Sequence, residues 1–99
     1  MAIIVVEIHV PAAADGAWIE DVEDVLADLE DNGEVEVYDD AERVGQAHVF
    51  YLTGKRAQDL LAIASRVAGR PGVPPGAFAV VTDDKAAHGT GRRVPLPIA

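Results

Sequence analysis

The chain contains no cysteine, which excludes disulfides, thiolate metal centres and cysteine nucleophiles. Its one serine, Ser65, has no nucleophile signature around it, and serine catalysis is disfavoured accordingly. Long apolar runs are missing too. The stretch 2–6 has no basic region before it and runs into Glu7 and His9, too short for a signal peptide or a membrane span. A cytoplasmic location without membrane contact is the expectation that follows. Positive charge is scarce: 8 Lys and Arg stand against 17 Asp and Glu, a formal net charge of −9. That balance argues against nucleic acid or an anionic membrane surface as a partner.

What remains is a chain of 99 residues, 49% hydrophobic and 25% charged. This suits one domain with enough apolar content to close a core. The charge is polarised along it. Residues 1–53 carry fourteen acidic side chains and one basic, Arg43, a balance of −13; residues 54–99 carry seven basic and three acidic, a balance of +4.

The β-branched segment 2–10 reads as a central strand, with Ile4, Val6, Ile8 and Val10 on one face and Ile3, Val5, Glu7 and His9 on the other. Trp18, Val22, Val25, Leu26 and Leu29 recur at helical spacing, predicting a helix over 15–32 with Asp15 as N-cap and Gly33 as terminator. Glu34 to Tyr38 alternates as a second strand with Val35 and Val37 inward, followed by a hairpin loop over 39–44. A third strand is expected over 46–53, a second helix over 55–68, a Pro/Gly connector over 70–76 and a fourth strand over 77–82. A polar loop over 83–91 leads into an extended tail over 92–99, which could form a short edge strand.

This order, βαββαβ, predicts an α+β ferredoxin-like sandwich: a four-stranded antiparallel sheet with two helices on one face. Residues 1–83 would form that domain, and residues 84–99 would be its polar loop and C-terminal tail. The open sheet face would then gather Glu7, His9, Glu36 and His48, two imidazoles and two carboxylates able to bind a divalent metal or to act as an acid–base pair. The cluster depends on an inferred register and is not a motif, so a polar sheet face with a Glu–His hydrogen bond is the plainer expectation, with no metal and no cofactor implied. The other end of that face would expose Val5, Phe50, Leu52, Phe78 and Val80, an apolar patch suited to a homodimer interface.

Two further features stand out. His88, Arg92 and Arg93, in a glycine-containing segment, could receive a phosphate or carboxylate. The helix from Glu20 to Asp31 carries seven carboxylates and no cation, which suits a basic protein partner or the basic half of a neighbouring copy. Known uses of this architecture fit poorly. Gln46 and His48 stand where RNA recognition modules place stacking aromatics, and the loop over 11–16 lacks the arginine that an acylphosphatase needs. The expectation is a non-catalytic binding or interaction module that self-associates through its sheet. The alternatives are a small dimeric enzyme using the Glu/His cluster, and an acidic inhibitor or immunity-type protein.

Overall fold

The fold is given by a computed structural model that describes residues 4–11, 16–33, 35–54, 56–70, 72–74, 76–83 and 91–96. The chain order is β1 (Ile4–Pro11), α1 (Ala17–Asp31), β2 (Glu36–Val44), β3 (Ala47–Thr53), α2 (Ala57–Ala68), β4 (Phe78–Asp83) and β5 (Arg92–Pro95). The five strands form one sheet in the order β2-β3-β1-β4-β5, and the pairings β1–β3, β1–β4, β2–β3 and β4–β5 are antiparallel. The architecture is therefore α+β with an antiparallel sheet and two helices. The expectation of four strands is corrected to five among the described residues, because Arg92–Pro95 pairs with β4. A short strand with a proline at its end is suited to an edge, where no further ladder is needed.

β1 is central because it is apolar on both faces. Val6, Ile8 and Val10 join one core with Phe50 and Leu52 of β3 and Ala79 of β4. Into the same core α1 sends Trp18, Val22, Leu26 and Leu29, and α2 sends Leu60, Ile63, Ala64 and Val67. Burying each Val or Leu of these stripes is worth about 1.5–3 kcal/mol, which outweighs the weak intrinsic stability of helices this short. Both helices thus cover one face of the sheet.

The first helix starts later than expected. Its N-cap position is Gly16; Asp15, the expected N-cap, lies outside the described residues. The helix closes at Asn32, and the Gly33 N–H donates to the Glu30 carbonyl at 3.0 Å.

The second strand departs furthest from expectation. The segment 39–44 is strand, not loop, and the chain reverses over Gly45 and Gln46 between the Val44 and Ala47 pair. Gly45 has φ 61° at the first central position of this two-residue turn, where a type II′ hairpin requires glycine. The register shifts between Val37 and Asp39 and again between Asp39 and Glu42, inserting extra residues into β2. Such bulges bend and twist a strand and re-aim its side chains. Val35 is buried as expected, but Val37 is 39% exposed.

Candidate functional site

Cross-strand pairing defines the sheet face away from the helices. Glu7 of β1 stands between Tyr51 of β3 and Val80 of β4, and His9 stands between Val49 and Phe78. The Glu7 carboxylate is buried, and its Oε1 lies 2.8 Å from His9 Nε2, whose ring donates in the tautomer that carries the proton there. Burial of a carboxylate is tolerated when it is hydrogen-bonded in this way. The His9 ring stacks on Phe78 with centroids 4.8 Å apart and planes 9° apart, and the Arg93 guanidinium lies 3.7 Å over the Phe78 ring. On the β2 side, the Tyr51 hydroxyl donates to Glu42 at 2.5 Å. Polar and aromatic side chains therefore form a row across the sheet, Glu42 with Tyr51 on the β2 side and Glu7, His9, Phe78 and Arg93 towards β5.

This row is only half of the cluster expected from the sequence. Glu7 and His9 meet, but His48 is on the helix face, edge-on to Trp18 at 5.9 Å and 5.1 Å from Phe50. Glu36 is exposed and pairs with Thr53, not with His48. The reason is the parity of β3. Two faces compete for the helices, one offering Phe50 and Leu52 and the other Val49, Tyr51 and Thr53. The larger apolar pair wins, and the hydroxyls of Tyr51 and Thr53 go to the other face with partners, Glu42 and the Ile4 carbonyl. Among the described residues no group of three or more His, Asp or Glu side chains is arranged to hold a metal ion.

The same parity takes Phe50 and Leu52 out of the apolar patch expected for a dimer, while Val5, Phe78 and Val80 stay on the face away from the helices. Phe50 and Leu52 are inside the helix-side core, Val5 and Val80 are buried within the single chain, and Phe78 is half-buried under Arg93. Arg92 and Arg93 are both exposed, but as neighbours on β5 they project to opposite sides of the sheet, so they do not form one anion fork. His88 lies outside the described residues.

A different place on the surface has the character of a contact site. The large hydrophobic residues exposed among the described residues are Val37 and Tyr38, both on β2. Between α1 and β2 runs a groove of about 330 Å³ with Leu26, Ala41 and Phe50 beneath it, Val37 on its wall, and Glu23 and Glu30 along α1. Val37 and Tyr38 also line a second, more polar groove of about 570 Å³ towards Arg56 and Asp59 at the start of α2. The first groove lies where the bulges carry β2 out of regular register, Ala41 falling in the second shift.

The groove lies on the acidic side of the molecule. Glu20, Glu23, Asp24, Asp28, Glu30 and Asp31 of α1 are exposed, as are Glu36 and Glu42 of β2. Asp21 is tied to Arg70, which donates Nε–H to Oδ2 at 2.8 Å and Nη2–H to Oδ1 at 3.0 Å. The Arg70 hydrogen bonds hold the Asp21 carboxyl below the usual carboxylate range. Sequence reasoning identified the acidic helix but not the groove, because the groove depends on two bulges that alternation does not reveal. The signal available was the dipeptide Val37-Tyr38 running straight into Asp39-Asp40, apolar residues set in an acidic run.

Neither groove is lined by Glu7 or His9, although Tyr51, the cross-strand neighbour of Glu7, reaches the first. No helix among the described residues is long and apolar enough to cross a membrane. The chain matches no protein-family model, no curated protein and no solved structure.

Proposed function

We propose that this protein is a non-catalytic protein-interaction module, a ferredoxin-like sandwich extended by a fifth edge strand, that docks a basic partner on the flank formed by α1 and β2. The sandwich assignment is supported by the strand order β2-β3-β1-β4 and by the placement of both helices on one face. The functional reading is carried by one observation: the exposed Val37 adjoins an apolar groove whose α1 side bears Glu23 and Glu30. Apolar contact in such a groove supplies affinity, while the surrounding carboxylates steer a cationic surface to it and reject acidic ones. The helix has a standing reason to accept cations. Glu20 and Asp24, and Asp24 and Asp28, are like charges four residues apart, each pair weakening the helix by about 0.2–0.5 kcal/mol. An acidic inhibitor or immunity-type protein is one member of this class.

The test is a ¹⁵N chemical-shift titration with a lysine-rich peptide containing leucine, and with its glutamate counterpart as control. The cationic peptide should shift the amides of α1 and β2, and added salt should weaken it. Shifts confined to β4 and β5, or equal binding of the glutamate peptide, would overturn the reading.

One observation favours a second reading, a small enzyme. Glu7 and His9 form a buried carboxylate–imidazole pair, the arrangement in which a carboxylate orients a histidine for proton transfer. Acid–base turnover requires His9 to reach a substrate, and the ring is covered by Phe78 with 14% of the His9 side chain exposed. The interaction module is the better supported of the two.

A further inference from the structure

We infer that the occupant of the α1/β2 groove is a cationic amphipathic helix lying along α1, with basic residues two turns apart on either side of an apolar anchor. The inference rests on the proposed docking flank and specifies what docks there. The α1 wall of the groove consists of Glu23, Leu26, Ala27 and Glu30, positions i, i+3, i+4 and i+7 of one helix. That is the spacing of a helix-pairing seam. Its centre is small: Ala27 is exposed, so a second helix axis can approach closely, while Leu26 is buried below it. Glu23 and Glu30 are separated by about 10.5 Å along the axis, the rise of seven residues, so basic side chains at i and i+7 of a partner helix match them.

The opposite wall excludes the other common mode. An extended partner would add to the free edge of β2, and that edge is irregular and already engaged at Val37. The Val37 N–H is already taken by the Glu30 carboxylate at 2.9 Å, and two register shifts interrupt the ladder. Such irregular, charged edges resist strand addition. A partner with its backbone hydrogen bonds satisfied internally avoids the conflict, and a helix is that partner. The Glu30 carboxylate has lone pairs for a cation in addition to Val37, because a carboxylate accepts at about four sites.

The experiment uses two synthetic peptides of identical composition. One is an alanine-based helix with Lys at i and i+7 and Leu at i+3 and i+4; the other replaces two central residues by their D-enantiomers, which breaks the helix and keeps the charge. Binding is measured by fluorescence anisotropy and mapped by ¹⁵N shifts. The helical peptide should bind at least about tenfold more tightly, because only it docks with its backbone hydrogen bonds already made. Ala27→Trp, which fills the groove from an exposed site, should weaken it by a similar factor with an unchanged circular-dichroism spectrum. Equal binding of both peptides at α1 and β2 would overturn the helix and leave the docking flank standing. No binding, or shifts away from α1 and β2, would overturn both. Undiminished affinity of the Ala27→Trp protein would overturn the placement along α1.

Discussion

Glu30, in the last turn of α1, accepts the backbone N–H of Val37 on the edge strand β2 at 2.9 Å. A carboxylate at a helix C-terminus opposes the dipole and costs about 0.3–1 kcal/mol. The hydrogen bond offsets that cost and occupies a donor that would otherwise face solvent or another chain. Glu30→Ala should therefore lower stability by roughly 1 kcal/mol and promote association at high concentration. Glu30→Gln keeps a carbonyl acceptor and relieves the dipole conflict, so it should remain near wild type. Urea unfolding with light scattering checks both. Indistinguishable Ala and Gln variants would mean that the contact contributes nothing.

That contact also marks the boundary of what the sequence discloses. Apolar density placed β1 at the centre of the sheet, and helical spacing identified the buried stripe of α1. In α1 the helical stripe has no competing face, since the rest of the helix is mostly charged. β3 has a competitor, since both parities of the segment 46–53 carry apolar residues, and only the relative size of Phe50 and Leu52 decides. The Glu7–His9 contact was legible because it lies within one strand at i and i+2. His48 and Glu36 required a register across strands, and β2 shifts register twice. A period-two argument fails at each inserted residue, which is why the groove beside Val37 and Ala41 has no signature in the alternation.

Gly91 should be intolerant of substitution. Its φ is 131°, and a Cβ there would run into the Val81 carbonyl oxygen. Only glycine adopts such a backbone without strain, which otherwise costs about 1–3 kcal/mol before any clash. Gly91→Ala should loosen the start of β5, which is held further along by its ladder with β4 and by the Leu96 N–H donating to the Ala77 carbonyl at 3.0 Å. The expected result is a lower melting temperature with faster amide exchange along β4. A variant with native melting and native protection of Ala79 and Val81 would show that β5 adjusts without cost.

The Asp21–Arg70 pair links α1 to the segment after α2 and should give stability a component that depends on acid. Arg70's hydrogen bonds lower the Asp21 pKa in the folded state. A group whose folded pKa is depressed contributes stability above its unfolded pKa and loses it as pH falls through the folded one. The contribution is therefore complete at neutral pH and disappears in strong acid. Asp21→Asn should be less stable than wild type at neutral pH, by an amount typical of solvent-exposed ion pairs, with the gap closing on acidification. Urea midpoints across that range decide it, and a gap of constant size would assign the effect to packing alone.

Glu7 and His9 should behave as a coupled structural pair. The carboxylate is buried, so His9→Leu removes a hydrogen-bond donor from a group that water does not reach, and a loss of about 1–3 kcal/mol is expected. Replacing both residues removes the reason for the loss. Glu7→Leu with His9→Leu should be more stable than His9→Leu alone, since an apolar pair in place of a buried polar one is often neutral. The double-mutant cycle by urea unfolding measures the coupling directly. Strictly additive single effects would show that the 2.8 Å contact carries no coupling. A positive result would assign Glu7 and His9 to holding the sheet together at its centre.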